Sequence, residues 1–256
     1  MTTRNVLIAL VGATVVIGTA ACSTASPTKP GPASETVTTP PATSVAATPA
    51  PSTTTVTVAP SACSGLGGTV GADQLCTVHA ATADYKIDIT FPTDYPDQQA
   101  LSDLVTRERD RFVQTVTAPD QPPYPKELDV TPTTYRSSAG TESVVLQEHA
   151  DYGGAHGVTF YNALNYNTAT KAPITYDMVF KPGADAVLDP ILKAAFEQRL
   201  QGLSMDDNLG GAKTYQNFAL TDDAVIFFID QGAWAISAAG PQQFSIPRSE
   251  LASILA

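Results

Sequence analysis

The sequence predicts an α+β fold: a single domain of mainly antiparallel strands with two or three helices packed on the sheet. Three observations lead to this class. Several segments alternate apolar and polar side chains, as strands buried on one face do. Two longer segments repeat apolar residues at helical spacing. The strand-like segments follow one another in runs, whereas a wound βαβ order would alternate them regularly with helices.

The strands and helices can be placed along the chain. The predicted strands are 85–91, 127–137, 142–150, 157–166, 215–220, 225–229 and 244–246. The predicted helices are a stretch opened by Pro96 and ending near Val116, a second at 185–202 with Asp189 as the alternative start, and a short one at 248–255. Five consecutive apolar residues at 225–229 indicate a central strand covered on both faces. The charged face of the first helix is expected to be solvated, with i,i+4 pairs such as Asp103–Arg107.

Composition narrows the function classes. The chain of 256 residues has 14 Lys+Arg against 25 Asp+Glu, a formal net charge of -11. A nucleic-acid surface needs clustered Lys and Arg, so no nucleic-acid partner is expected. An apolar content of 43% excludes a wholly disordered chain, and 3 cysteines are too few for a small disulfide scaffold.

Residues 1–21 are predicted to be a signal peptide. An uncharged apolar run from Val6 to Ala21 follows Arg4, and it is shorter than the roughly 20 residues of a spanning helix. The small residues before Cys22 are similar to a bacterial lipobox, although Thr19 stands where a leucine or branched side chain is usual. We expect Cys22 to carry a lipid such as palmitate, which holds the protein on the extracytoplasmic face of the cell membrane. The alternative is an ordinary cleaved signal and a shed or secreted protein.

Residues 22–62 are predicted to be a disordered tether behind the lipidated cysteine. Pro, Ser and Thr dominate this stretch, which has no aromatic residue and only Lys29 and Glu35 as charges. Such a composition buries too little apolar surface to offset the entropy of ordering. Residues 63–256 contain no internal repeat and no second linker, so we expect one domain and a monomer.

Cys63 and Cys76 open the predicted domain. With Cys22 lipidated, they are an even pair in an exported protein, which predicts a disulfide. The alternative is a redox or metal pair, but the spacing fits neither CxxC nor a zinc knuckle.

The loop Tyr152-Gly153-Gly154-Ala155-His156-Gly157 lies between two predicted strands and supplies the candidate binding residues, namely Tyr152, Gly153, Gly154 and His156. Closely spaced glycines indicate a sharp loop, in which His156 would hydrogen-bond backbone groups. A contact with a ligand or partner is the second interpretation of His156, and catalysis is the third.

Motifs of known catalytic chemistry are absent from the sequence, which lacks G-x-S-x-G, a P-loop, H-E-x-x-H, an EF-hand loop and G-x-G-x-x-G. We therefore predict no catalytic residue, no metal and no cofactor. Two other arrangements are conceivable from the sequence. One is a metal site formed by His149, Asp151 and His156, and the other is a catalytic triad of Ser204 or Ser237 with His156 and an Asp. Neither arrangement has a supporting spacing.

A series of segments in order is similar to one family. They are Tyr95-Pro96-Asp97-Gln98, Gly153-Gly154-Ala155-His156, Ala172-Pro173-Ile174-Thr175-Tyr176-Asp177, Tyr215-Gln216-Asn217-Phe218-Ala219, Val225-Ile226-Phe227-Phe228, Ala238-Ala239-Gly240-Pro241 and Ile246-Pro247-Arg248-Ser249. They resemble the mycobacterial secreted immunogenic protein family and, more distantly, the extracellular lysozyme-sensing domain of a bacterial anti-sigma factor. The resemblance covers residues 63–256. It implies an α+β domain with a disulfide near its start, lysozyme binding in one branch and esterase activity in some members.

The sequence therefore predicts a cell-envelope lipoprotein whose extracytoplasmic domain binds a protein or wall-derived ligand. A weak esterase or other hydrolase of the envelope is the first alternative, and it rests on the resemblance alone. An envelope scaffold without a small ligand is the second.

Overall fold

The computed structural model describes residues 62–200, 202 and 213–256. Cys22, the predicted signal peptide and Ser204 lie outside these residues, as does the predicted tether except for Ala62. The described part confirms the α+β class: a large, mainly antiparallel sheet, a small second sheet and few helices.

The large sheet has seven strands that neighbour one another in chain order. They are β1 (Thr69–Val70), β2 (Leu75–Ala81), β3 (Lys86–Pro92), β4 (Glu127–Arg136), β5 (Thr141–Asp151), β6 (Val158–Asn167) and β7 (Ala172–Pro173). All neighbours are antiparallel except β3 and β4, which run parallel. A parallel pair needs a crossover. Here the crossover is the helix that the sequence places after Pro96.

Two helices belong to the same part of the chain as the large sheet: α1 (Ala62–Gly65) precedes β1, and α2 (Gln98–Val116) connects β3 to β4. Asp97 caps α2, because its side chain accepts a hydrogen bond from Ala100 N at 3.1 Å. The apolar stripe of α2 packs on one face of the large sheet, where Phe112 meets residues such as Ile89 and Leu128 in one buried core. The opposite face of β2–β4 is polar and largely exposed.

The small sheet has three strands, β8 (Phe218–Leu220), β9 (Ala224–Ile229) and β10 (Gln242–Pro247), with β9 in the middle. The prediction of a central strand at 225–229 is thus confirmed. One face packs on the large sheet, where Ile226 and Phe228 meet Val145 and Tyr161. The other face is covered by α3 (Tyr176–Val179) and α4 (Asp185–Arg199), which enclose an aromatic core.

Two helix predictions need correction. Residues 248–255 form successive turns instead of a helix, because Lys181 N donates to Ile254 O and Ala256 N donates to Val179 O, which hold this segment against α3. The second long helix starts at Asp185, as predicted, and not at the alternative Asp189; it ends at Arg199 and not at residue 202. Its first turn stays helical ahead of Pro190 because Leu188 is buried in the aromatic core.

The charged face of α2 is also less solvated than predicted. Glu108 is buried and Arg111 reaches across to Glu148 on β5, with 3.0 Å between Arg111 Nη2 and Glu148 Oε1. Asp103 accepts from Gln99 at 2.8 Å, and no Asp103–Arg107 pair is found among the described residues.

The predicted disulfide is confirmed, with Cys63 and Cys76 bonded and both buried. It ties α1 to β2. A side chain on Gly68 would come within 2.7 Å of Cys76 Sγ and 2.9 Å of Cys63 Sγ, so only glycine fits over the bond. In the part of the chain that the structure describes, no helix is long and apolar enough to cross a membrane.

Candidate functional site

Three connecting segments meet at one end of the large sheet. The register of β3, β4 and β5 places the start of β3, the start of β4 and the end of β5 side by side. The β2–β3 turn (82–85), the segment before β4 (118–126) and the β5–β6 loop (152–157) therefore emerge together. We call these three segments the strand-end surface. It carries the four candidate binding residues.

The backbone conformation of the β5–β6 loop requires a glycine at position 153. Its φ is +81°, in the left-handed region that favours glycine, and its N–H donates to Asp151 Oδ1 at 2.8 Å. A Cβ on Gly153 would lie 3.5 Å from Lys126 Cε and 3.6 Å from Pro122 Cβ, so the loop rests directly on the segment before β4. Gly154 is exposed and is not among the positive-φ glycines.

His156 is exposed at the tip of the same loop. Its Nδ1 lies 3.1 Å from the carbonyl oxygen of Gly157, to which the ring can donate in the appropriate tautomer. This is the backbone contact expected of a histidine that braces the loop. Its remaining ring nitrogen has no hydrogen bond to any described residue.

The side chain of Tyr152 is half-buried against α2. Its ring packs on Phe112 with 5.7 Å between centroids, and Tyr85 also packs on Phe112, with 6.1 Å between centroids. Burial raises the pKa of Tyr152, and the neighbouring Arg111 opposes that shift. Tyr152 therefore supports the strand-end surface from beneath.

An open cavity of about 410 Å³ lies in the strand-end surface. Its walls come from residues 81–86 and 123–126. Tyr124 stands at this cavity with 63% of its surface exposed, an unusual exposure for an aromatic side chain. Cavities of roughly 300–1,000 Å³ are the size that small ligands occupy.

Lys126 lines this cavity and is only 7% exposed. Among the residues that the structure describes, none forms a hydrogen bond or an ion pair with its side chain. Lys86, which also lines the cavity, is fully paired: its Nζ lies 2.7 Å from Asp88 Oδ2 and 3.0 Å from Glu127 Oε1. Lys126 is thus a buried cation that the described residues leave without a counter-charge.

A row of polar residues, exposed at His79 and buried at Thr159, crosses the face of the large sheet opposite to α2 near this end. The members of the row share one register position on five successive strands: His79, Asp88, Asp129, His149 and Thr159. His79 Nδ1 lies 2.5 Å from Asp88 Oδ1. Hydrogen bonds from Lys86 and His79 lower the pKa of Asp88.

The other half of the row joins His149 to Thr159, with 3.1 Å between Nδ1 and Oγ1. Gly157 makes room for this imidazole, because a Cβ there would lie 2.6 Å from His149 Nε2. The last glycine of the loop motif therefore accommodates His149, not the neighbouring His156.

The arrangements assembled on paper are not brought together. Within residues 62–200 and 213–256, no group of three or more His, Cys, Asp or Glu side chains is placed to hold a metal ion. His149, Asp151 and His156 therefore do not form the metal site considered from the sequence. The ring of His156 contacts Gly157, and Ser237 lies beside Gly232 and Gln231 in the turn after β9. Ser204 is outside the described residues.

An ion cluster of two buried carboxylates and the half-exposed Arg111 lies between α2 and β5. Arg111 Nη2 is 2.7 Å from Glu108 Oε2 and 3.0 Å from Glu148 Oε1, so two carboxylates share one guanidinium. Glu148 is 1% exposed. Burial raises the pKa of Glu148, and the attraction of Arg111 only partly opposes this.

Sequence reasoning overlooked Lys126 and the His149–Thr159 pair. For Lys126 a signal existed: Lys126, Leu128 and Val130 alternate, so the lysine occupies a position on the apolar face of β4. The His149–Thr159 contact depends on the register of β5 and β6, which the sequence does not state.

Comparison with known proteins shows which proteins this chain is similar to. A family model described as a protein of unknown function, DUF3298, matches residues 177–249, from α3 to just beyond β10. A crystal structure of a DUF3298 family member from Bacteroides fragilis aligns with a TM-score of 0.49 at 14% identity, over 73% of this chain and 95% of that one.

The chain is also similar to three curated proteins. The peptidoglycan-N-acetylmuramic acid deacetylase PdaC of Bacillus subtilis is 27% identical over 183 residues, which are 68% of this chain and 39% of that enzyme. Immunogenic protein MPB64 of Mycobacterium bovis is 37% identical over 201 residues, covering 76% of this chain and 88% of the relative. Esterase Rv3036c of Mycobacterium tuberculosis is 42% identical over 199 residues, covering 75% and 88%. By these identities and coverages the chain belongs to the mycobacterial secreted immunogenic protein family.

Proposed function

We propose that this protein is a cell-envelope lipoprotein whose α+β domain binds a wall-derived ligand at the strand-end surface. The observation that carries the proposal is an open cavity of about 410 Å³ walled by two of the three segments, with the candidate loop beside it, where Gly153 approaches Lys126. Loops held by a rigid sheet are where binding sites concentrate.

The proposed location rests on the buried Cys63–Cys76 bond together with the sequence of the N-terminus. Structural disulfides persist in oxidising compartments outside the cytoplasm. A lipid on Cys22 would keep the domain at the membrane surface, within reach of the wall.

The proposed ligand class rests on a relative. A bacterial enzyme whose name states an action on peptidoglycan shares this region, and the shared part is only 39% of that enzyme. The shared region thus forms part of a longer enzyme named for peptidoglycan, and it makes up most of the shorter mycobacterial relatives. A binding module for peptidoglycan would explain both occurrences. A protein ligand is the competing outcome.

Co-sedimentation with insoluble, purified peptidoglycan tests this function. The full chain, purified in detergent from a mycobacterial expression host, is compared with Tyr124→Ala and with Ile236→Ala, whose side chain has the same 63% exposure but lies away from the cavity. We expect the parent protein and Ile236→Ala to sediment with the wall and Tyr124→Ala to stay largely in solution. Equal sedimentation of all three places binding elsewhere, and no sedimentation of any favours a protein ligand or a scaffold.

Ester hydrolysis is the second candidate, because a relative with 42% identity is named an esterase and His149 contacts the Thr159 hydroxyl. In this alternative the Thr159 oxygen attacks the ester carbonyl carbon while His149 accepts its proton. The alcohol leaves with that proton, and water then hydrolyses the acyl-threonine to free the acid. A p-nitrophenyl ester assay on Thr159→Val, Thr159→Ser and the control Thr131→Val tests it. Activity lost only in Thr159→Val supports the esterase, and activity unchanged in Thr159→Val eliminates this pair.

A further inference from the structure

We infer that the cavity of the strand-end surface binds a carboxylate, whose charge pairs with the ammonium group of Lys126. This inference rests on the proposed function, since it names the chemistry of the group that the same surface recognises. It is carried by two independent features: an open cavity, and a lysine in its wall that is nine-tenths buried and has no partner among the described residues.

The first step concerns the cost of the buried charge. Removing an ammonium group from water costs several kcal/mol unless an opposite charge and hydrogen bonds replace the water. Lys86 has Asp88 and Glu127 as partners, and Arg111 has Glu108 and Glu148, although these two cationic side chains are half exposed. Lys126 differs from both, because it is 7% exposed and has no charged partner among the described residues. It stands just before β4, at a position where an apolar residue would pack well.

The second step concerns how Lys126 is held. Continuing the register of β3, β4 and β5 by one residue places Tyr85 and Tyr152 on either side of Lys126. Phe112 packs on both tyrosines from α2, and Gly153 closes over the lysine stem. The side chain is therefore fixed in advance, which lowers the entropy lost on binding a ligand.

The third step concerns access. The fully buried side-chain atoms without a hydrogen-bond partner, among the described residues, belong to Glu108, Glu148, Tyr176, Trp234 and Gln242. The Lys126 nitrogen is not in this group, although it has no partner among the described residues, so it keeps some accessible surface. Lys126 also lines the cavity, which gives a ligand access to it.

The fourth step selects the anion. The turn amides of Asp84 and Tyr85 already donate to Thr82 Oγ1, at 3.1 Å each, so they are not available to a ligand. Lys86 is neutralised by its two carboxylates, and Asp84 adds a negative charge to the wall. One free ammonium beside an acidic group matches a singly charged carboxylate better than a phosphate dianion, which needs several donors.

The residues that line the cavity indicate the chemistry of the uncharged part of the ligand. Pro123, Tyr124, Pro125 and Tyr85 are among the residues that line the cavity. Such walls suit a small apolar body attached to the carboxylate. Benzoate is a probe with both features, and benzamide has the same shape without the charge.

The test measures binding of benzoate and benzamide to the full chain by ligand-observed NMR. Lys126→Met removes the charge and keeps the apolar stem, Lys126→Arg retains a charge, and Lys193→Met is the matched control on the exposed face of α4. We expect benzoate to bind the parent chain, Lys126→Arg and Lys193→Met, and to bind Lys126→Met at least about tenfold more weakly. Benzamide should bind all four chains weakly and alike.

Equal binding of benzoate and benzamide overturns the inference, as does absence of benzoate binding to the parent chain. A melting curve shows whether Lys126→Met is folded; we expect its melting temperature to equal or exceed that of the parent chain, because an unpaired buried charge is removed. If Lys126→Met still sediments with peptidoglycan and Tyr124→Ala does not, carboxylate recognition is refuted and the proposed function stands. If both variants still sediment with peptidoglycan, the proposed function itself is refuted.

Discussion

At the scale of single residues, the β5–β6 loop contains both sterically constrained residues and exposed residues without such a constraint. Gly153 and Gly157 are fixed by space: the first has a positive φ and rests on Lys126, and the second leaves room for His149. Gly154 and His156 are exposed and have no such constraint. Binding roles for Tyr152, Gly153, Gly154 and His156 remain predictions, which substitutions at matched positions can separate from stability.

Gly153→Val tests the structural role of the loop. A β-branched residue at a φ of +81° is strained, so we expect the free energy of unfolding to fall by about 1–3 kcal/mol. Gly154→Val is the control, since the nearest atom to its Cβ would be His156 O at an ordinary 3.9 Å. Urea denaturation of both variants measures the difference. Equal stability of the two would show that the backbone at Gly153 adapts.

Glu148 predicts a pH dependence with a definite sign. Burial raises its folded-state pKa above the usual 4.5, so the folded protein holds this proton more readily than the unfolded chain. The contribution of Glu148 to the free energy of unfolding is therefore largest at low pH and falls as the pH rises from about 4.5 through the folded pKa. We expect the stability of the parent chain minus that of Glu148→Gln to decline over that range.

Asp88 supplies the control of opposite sign. Bonds from Lys86 and His79 lower its folded-state pKa below 3.8, so its contribution is present above that pH and is lost as the pH falls through the folded pKa. The same difference measured with Asp88→Asn should decline towards acid. A difference for Glu148→Gln that does not change with pH would show that Arg111 fully offsets the burial of the carboxylate.

At the scale of elements, the outer edge of β6 is closed by side chains where a further strand would otherwise pair. Asp230 Oδ1 accepts from Tyr161 N at 2.8 Å, and Asn217 accepts from Ala163 N at 3.1 Å and donates to Tyr161 O at 2.6 Å. Gln231 bonds both backbone groups of Thr159. An open edge would invite pairing with another chain, so these three residues protect the sheet.

Asn217→Ala tests this edge. It leaves Ala163 N and Tyr161 O without their partner, which should lower the free energy of unfolding by about 1–3 kcal/mol for each group that water does not reach. It should also give concentration-dependent association in sedimentation velocity. Asn162→Ala on the same strand, whose side chain has no hydrogen bond to a described residue, should change neither measurement. A stable monomeric Asn217→Ala would mean that solvent replaces the side chain.

The same scale shows what the sequence could predict. The strands β3 to β6 and the helix α2 follow from local periodicity, and the structure places them within a few residues of the prediction. β2 was missed because its inward residues, such as Cys76 and Ala80, are small and give a weak apolar signal. The cavity depends on pairs such as Lys86 and Glu127, which lie 41 residues apart, so only the folded sheet brings them together.

At the scale of the whole molecule, charge and anchoring should act together. The chain carries a net charge of -11, so the proposed carboxylate ligand would approach an unfavourable field and would bind through local contact at Lys126. A lipid anchor would offset the weak affinity of one such contact, because it holds many copies of the domain beside a polymer with repeated carboxylates. Removal of the anchor should therefore change where the whole protein is found in the cell.

Cys22→Ser tests the anchor. A serine cannot carry the thioether-linked lipid expected at this position, and each buried methylene of such a lipid contributes about 0.8 kcal/mol to membrane binding. In a mycobacterial host we expect the parent protein in the detergent-soluble membrane fraction, and Cys22→Ser in the medium or as an unprocessed precursor. Thr24→Ala leaves the cysteine in place and should remain in the membrane. If Cys22→Ser stays there at the mature size, the lipid is not on Cys22, and another feature must hold the domain at the envelope.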